Sequence, residues 1–239
     1  MASIFEDVAD LYLRLNGYFT VKNFFQHPSF DAGVGETDID ILAIRLPDER
    51  EVTGRDPKPL PHDLAIVDPK TTGISVVIAE AKGDADHFNA KWFRDPEVLM
   101  YALRRVGFTH SERAIQEVAE QLRTSGRASI PGATLSPCEF RLVLFSNYVG
   151  SLPHPDYRAE PFEGIVINWD RSVAFLKERF DLLGTIKRGQ GPLKDAVFGY
   201  LFSAYRRSKL SPGFLHSVRP AQPPYKPRRQ TRGNRPCPQ

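Results

Sequence analysis

The sequence predicts an α/β fold in which a mixed central β-sheet is flanked by helices, and three observations predict it. The 239 residues are 41% apolar and 26% charged, enough to bury a real core under a wettable surface. Segments with apolar residues at helical spacing are interspersed with short runs rich in aromatic and β-branched residues, in the order α-β-β-β-α-α-β-β-α-α. Two of those runs, Ile41-Leu42-Ala43-Ile44 and Val76-Val77-Ile78-Ala79, are apolar without alternation, as strands covered on both faces are.

Taken in order, Ser3 to Asn16 is a predicted helix, with Ile4, Phe5, Val8, Leu11, Tyr12 and Leu15 on one face. Ser3-Ile4-Phe5-Glu6 has the capping-box pattern, and Gly17 stands where a left-handed residue ends a helix. Tyr18 to Phe25 reads as a strand, and His27 to Gly35 as a turn-prone stretch. Glu36 to Arg45 is the next strand, alternating at first (Glu36, Asp38, Asp40) and then continuously apolar. Leu46 to Pro61, broken by four prolines, is an excursion, and the apolar segment Leu64 to Val67 is expected to be an extra strand. Ile74 to Lys82 is a strand. Asp95-Pro96 opens a helix with Leu99, Ala102, Leu103 and Val106 on one face, closed by Gly107. Ser111 caps another, with Ile115, Val118, Ala119 and Leu122 aligned. Phe140 to Ser146 and Gly164 to Asn168 are two more strands, and Val173 to Leu183 and Leu193 to Arg207 two more helices.

The formal charge of +3 is unevenly placed. Arg219, Lys226, Arg228, Arg229, Arg232 and Arg235 carry six positive charges in a stretch with no acidic residue, and removing those six leaves residues 1–218 at −3. The division expected is an α/β domain over 1–218, with its core at 3–170 and an insertion at about 46–73, followed by a basic, Pro-rich, disordered tail over 219–239. Lys226, Arg228, Arg229, Arg232 and Arg235 are candidates for salt-sensitive nucleic-acid contacts; a solubilising end is the equal alternative. Two cysteines, Cys138 and Cys237, make no disulfide framework, which suits a cytoplasmic protein. No apolar run approaches a membrane span, and Glu6, Asp7 and Asp10 interrupt any leader-like stretch, so no membrane partner is expected.

The chemistry concentrates at the end of the strand over 74–82. Residues two apart on a strand share a face, so Glu80 and Lys82 project together while Ala79 and Ala81 face the other way and leave room for a close-packed helix. A carboxylate and an ammonium beside a buried run are costly without a purpose or a partner. Asp40 stands where its own strand changes from alternating to continuous apolar character. If the two strands are neighbours, Asp40 and Glu80 converge. Two carboxylates and a backbone carbonyl, that of Ala81, form a hard-oxygen set suited to Mg²⁺ or Mn²⁺, with positions left for water and a substrate phosphate. Lys82 adds a compact cation able to orient a nucleophilic water or stabilise charge developing on phosphorus.

Asp40 followed by Glu80-Ala81-Lys82 resembles the D…(D/E)-x-K signature of the PD-(D/E)XK, or restriction-endonuclease-like, nuclease superfamily. The resemblance covers about residues 3–83. Glu6-x-x-Ala9-x-x-Tyr12-Leu13-x-x-x-Gly17-Tyr18 is similar to the opening helix and first strand of the Holliday-junction-resolvase-like and repair-nuclease branches, and Gly35-Glu36-Thr37-Asp38-Ile39-Asp40-Ile41-Leu42 to their acidic second strand. It implies an α-β-β-β-α-β core with C-terminal helices and an Mg²⁺-dependent deoxyribonuclease. Asp40, Glu80, Lys82 and Glu6 would be catalytic, the metal would be held by Asp40, Glu80 and Ala81, and cleavage would leave a 5′-phosphate. Two departures stand: Asp40 and Glu80 are wider apart than is usual in the family, and Ile39 replaces the common proline. Asp38 and Asp63 rival Asp40 for the aspartate role, Asp63 being the reserve choice. Glu6 could serve only as the capping-box partner of Ser3. A nuclease-like domain that no longer cuts and binds nucleic acid or protein is the alternative function, and homodimerisation stays open. The six histidines show no ligand spacing, so zinc is not expected, and neither a phosphate loop nor a Gly-x-Ser-x-Gly elbow occurs.

Overall fold

The N-terminal helix α1 spans Ile4–Leu15 and is built as its sequence suggests. Ser3 Oγ accepts the Glu6 backbone N–H at 3.1 Å, and Gly17 takes the left-handed conformation, φ 83°, that turns the chain into the first strand. The structure, a computed structural model, describes residues 3–25, 38–47, 52–53, 58–83, 96–130, 137–147, 164–186 and 196–217. The expected turn at 27–35 and the tail at 219–239 lie outside the described residues.

Strands β1 (Phe19–Phe25), β2 (Asp38–Arg45) and β5 (Ile74–Ala81) form an antiparallel meander. Between β2 and β5, Val52–Thr53 (β3) and Lys58–Pro59 (β4) pair as a small separate hairpin within the excursion. After β5 come helices α2 (Pro96–Val106) and α3 (Glu112–Ser125), then β6 (Arg127–Ile130) and β7 (Cys138–Phe145). β7 lies parallel to β5, and the sheet runs β1-β2-β5-β7-β6. β8 (Ile165–Ile167) pairs parallel with the second half of β7, while β6 pairs antiparallel with its first half. Three helices end the described residues: α4 (Trp169–Ile186), α5 (Ala196–Arg206) and α6 (Pro212–Ser217).

The six-stranded mixed sheet is covered on both faces. One layer joins α1, α4, α5 and α6 to Ile41, Ala43, Val77, Ala79, Ala81, Val143 and Phe145. The other joins α2 and α3 to Ile39, Leu42, Val76, Ile78, Phe140 and Leu142. Each large apolar side chain so buried contributes about 1.5–3 kcal/mol. The small residues Ala79 and Ala81 face the layer of α1, where they admit the helix closely.

The segment Leu64 to Val67 is a turn and not a strand. Asp63 organises it: its carbonyl accepts the N–H groups of Ile66 and Val67 at 3.1 and 3.0 Å, and its carboxylate accepts that of Ala65 at 2.9 Å. The backbone bonds of the segment are thus local, while Ile66 and Val67 still reach the core and Leu64 is exposed; the apolar run reflected burial, not a ladder. β3, β4, β6 and α6 arise where no element was expected, all too short to carry a periodic signal. α4 begins at Trp169 because Asn168 caps it, its Oδ1 accepting the Arg171 N–H at 2.8 Å. No described helix is long and apolar enough to cross a membrane.

Candidate functional site

The antiparallel β2–β5 ladder ends at the pair Ile41 and Ala79, with Asp40 and Glu80 each the next residue beyond it. Ile41 and Ala79 face the layer of α1, so alternation along the two strands puts Asp40 and Glu80 on the other face. Asp40 Oδ2 accepts the Ala81 N–H of β5 at 2.8 Å. Lys82, one residue past the end of β5, returns its ammonium over the strand end. Nζ lies 2.7 Å from Glu80 Oε1 and 3.8 Å from Asp40 Oδ2. Asp40, Glu80 and Lys82 therefore converge.

Burial grades across the group. The Glu80 side chain is 2% exposed, that of Asp40 14% and that of Lys82 27%, so the site closes behind Glu80 and opens past the lysine. A carboxylate as deep as Glu80 would be expensive alone, and the ammonium beside it offsets that cost. Burial works against the charge of Lys82, yet the Glu80 and Asp40 carboxylates outweigh it and raise the lysine above its ordinary value.

Glu6 lies on the first turn of α1, beside its Ser3 cap. Its N–H donates to Ser3 Oγ at 3.1 Å, the first half of a capping box, and hydrogen bonding with Ser3 favours its carboxylate form. It also lies close enough to Asp40 to feel its charge. Burial, and then Asp40, push Glu6 above the usual carboxylate value in spite of the Ser3 bonds. Glu6, Asp40 and Glu80 thus all act on the one ammonium of Lys82.

Among the described residues no three His, Cys, Asp or Glu side chains are grouped as metal ligands. The protein donors on offer at the strand end are two carboxylates and the Ala81 carbonyl. Such a set fits Mg²⁺, which takes one or two carboxylates and fills its octahedron with water and phosphate oxygen; it does not fit zinc. Glu80 Oε1 is engaged by Lys82, so a cation there shares Glu80 with the ammonium.

The remaining candidates lie elsewhere. Asp38 opens β2 opposite Phe25, and its side chain is outside the described residues, as are Lys226, Arg228, Arg229, Arg232 and Arg235. Asp63 accepts the Tyr12 hydroxyl at 2.7 Å and both Arg171 Nε and Nη2, the latter at 2.5 Å, while its N–H donates to Asn16 Oδ1 at 2.7 Å. Burial pushes its carboxyl up, but Arg171, the Ala65 N–H and Tyr12 together hold it below the usual range. These bonds tie α1, the turn and α4 together, a structural occupation for Asp63.

An aromatic wedge beneath the lysine was not anticipated. The Trp169 indole N–H donates to the Lys82 carbonyl at 2.9 Å, and the Trp169 ring packs on Phe5, 5.0 Å between centroids. Periodicity puts Phe5 on the apolar face of α1, but it does not mark the contact with Trp169 and Lys82, because their proximity depends on the packing of α1 and α4 against the same sheet end. No protein-family model, curated protein or solved structure matches the chain.

Proposed function

We propose that this protein is a metal-dependent nuclease of the restriction-endonuclease-like kind, hydrolysing phosphodiester bonds of nucleic acid, with DNA the favoured substrate. The single observation that carries the proposal is the convergence of Asp40, Glu80 and Lys82 at one strand end, with the Ala81 amide tied to Asp40. The order of elements supports it as well. A helix bearing Glu6 leads into an antiparallel meander whose second and third strands carry the triad, and a parallel strand follows beyond two helices.

Asp40, Glu80 and the Ala81 carbonyl would hold Mg²⁺ or Mn²⁺, which when bound lowers the pKa of a coordinated water and screens the phosphate charge. The chain's own residues supply the rest. Glu80 fixes the Lys82 ammonium from its buried side, leaving the other hydrogens of Nζ to donate toward the attacking water or a non-bridging phosphate oxygen. Held in place before the reaction, that cation stabilises the negative charge that grows on phosphorus as water adds and the P–O3′ bond breaks. The products are a 5′-phosphate and a 3′-hydroxyl. Glu6, raised by burial and by Asp40, stands at the rim where a proton can be exchanged with solvent.

Purified protein incubated with plasmid, linear and single-stranded DNA, and with RNA, in Mg²⁺, Mn²⁺ or EDTA tests the proposal. Cleavage in either metal that EDTA abolishes is the expected result. Binding without cleavage of any nucleic acid would replace it with a recognition domain of the same build. Neither binding nor cleavage would end it.

A further inference from the structure

Lys82 stands one residue beyond β5, where its backbone depends on partners outside the β2–β5 ladder. Its N–H donates to the Phe145 carbonyl at 2.8 Å, and its carbonyl accepts the Trp169 indole N–H at 2.9 Å. Both backbone polar groups of the residue are thereby fixed. A lysine has four rotatable side-chain bonds, so where its ammonium rests depends on how firmly its backbone is held. Trp169 is fully buried as the first residue of α4, with Phe5 on one side and Phe145 stacked at 6.1 Å on another. Gly83 completes the wedge: a Cβ there would stand 2.6 Å from Phe5 Cε2, so the close approach of Phe5 requires glycine. Phe5 directly precedes Glu6, so one buried indole links the strand end that carries Lys82 to the helix that carries Glu6.

We infer that Trp169 is a positioning residue, its indole N–H holding the Lys82 carbonyl and thereby aiming the Lys82 ammonium at Glu80 and Asp40. The inference rests on the nuclease reading, since it assigns a purpose to that aim. A buried indole N–H needs an acceptor wherever it lies. Here the acceptor is the carbonyl of the residue that carries the cation, and the neighbouring N–H of the same residue is held as well.

The test removes the donor and keeps the ring. In the full chain, Trp169→Phe and a benzothienyl-alanine replacement at position 169, which puts sulfur where the indole has N–H, are compared with wild type. Single-turnover cleavage of plasmid DNA is measured at saturating Mg²⁺, together with DNA affinity and Mg²⁺ dependence. The expected result is unchanged DNA affinity and Mg²⁺ dependence with cleavage slowed about 10- to 100-fold, the scale set by displacing a reacting group by a fraction of an ångström to one ångström. In a Lys82→Ala background the same replacements should have no further effect on the residual rate, because a residue acting through Lys82 has nothing left to position. If wild type cuts and the benzothienyl protein cuts equally well, the positioning role is overturned while the nuclease reading stands. If the replacements slow Lys82→Ala protein by the same factor as wild type, Trp169 is structural and the inference again fails. Should Trp169→Phe not fold, the benzothienyl protein alone decides. A wild type that cuts no nucleic acid overturns both.

Discussion

Replacing Lys82 with alanine leaves the Glu80 carboxylate buried without the ammonium that now stands 2.7 Å away. Breaking a buried ion pair by removing one partner costs about 3–5 kcal/mol. The Lys82 side chain is 27% exposed and Glu80 only 2%, so solvent reaches one half of the pair. The expected loss is therefore at or just below the lower end, ~2–3 kcal/mol at neutral pH. Glu80→Gln, which removes the buried charge and leaves the lysine to Asp40 and solvent, should cost less, ~1–2 kcal/mol. The assay is urea unfolding in EDTA, repeated with Mg²⁺. Metal should restore more stability to Lys82→Ala than it adds to wild type, because in the variant no ammonium shares Glu80. The pH dependence has a definite sign. Lys82 is raised in the folded state, so its contribution is complete below the ordinary lysine value of ~10.4 and is lost as pH rises through the higher folded value. The gap between wild type and variant should hold from neutral pH to about 10 and close above it. Equal stability of the two proteins in EDTA at pH 7 would refute the reasoning, for the pair would then be neither buried nor formed.

Other expectations follow from the same structure. Asp63→Asn weakens the bonds to Arg171 and Tyr12 and should cost ~1–3 kcal/mol by denaturant melts, with cleavage per folded molecule unchanged. Because the Asp63 carboxyl is held low, that loss should be present above the unfolded value near ~3.9 and fade as pH falls through the lower folded one. Gly83→Ala forces Phe5 aside and should destabilise by ~1–3 kcal/mol in the same assay. Deleting residues 219–239 removes six positive charges, so DNA affinity at low salt should fall and its salt dependence should flatten, with little change in melting temperature.

The elements that sequence made legible are those whose own residues decide them. α1 announces itself through the Ser3 cap, the apolar stripe and Gly17; β5 through an unbroken apolar run; α3 through Ser111 and four aligned apolar residues that are all buried. The convergence of Asp40, Glu80 and Lys82 was legible because strand periodicity puts Glu80 and Lys82 on one face and Asp40 stands near the end of the neighbouring strand. What stayed hidden depends on distant packing. Leu64 to Val67 looked like a strand because burial selects the same residues in a turn, and the hydrogen bonds of Asp63 that settle the matter are not written in hydropathy. β6 needs β7 beside it to exist, and the Trp169 bond to Lys82 joins residues 87 positions apart.

Cleavage of supercoiled plasmid by wild type and by Asp40→Asn, purified side by side and assayed with Mg²⁺ and with EDTA, tests the central claim most directly. The substitution takes one negative charge from the carboxylate that is tied to Ala81 and that stands 3.8 Å from Lys82. Nicking or linearisation by wild type in Mg²⁺, absent in EDTA and abolished in Asp40→Asn with partial recovery in excess Mn²⁺, is the predicted result. A wild type inert in every metal, or an Asp40→Asn protein as active as wild type, would contradict it.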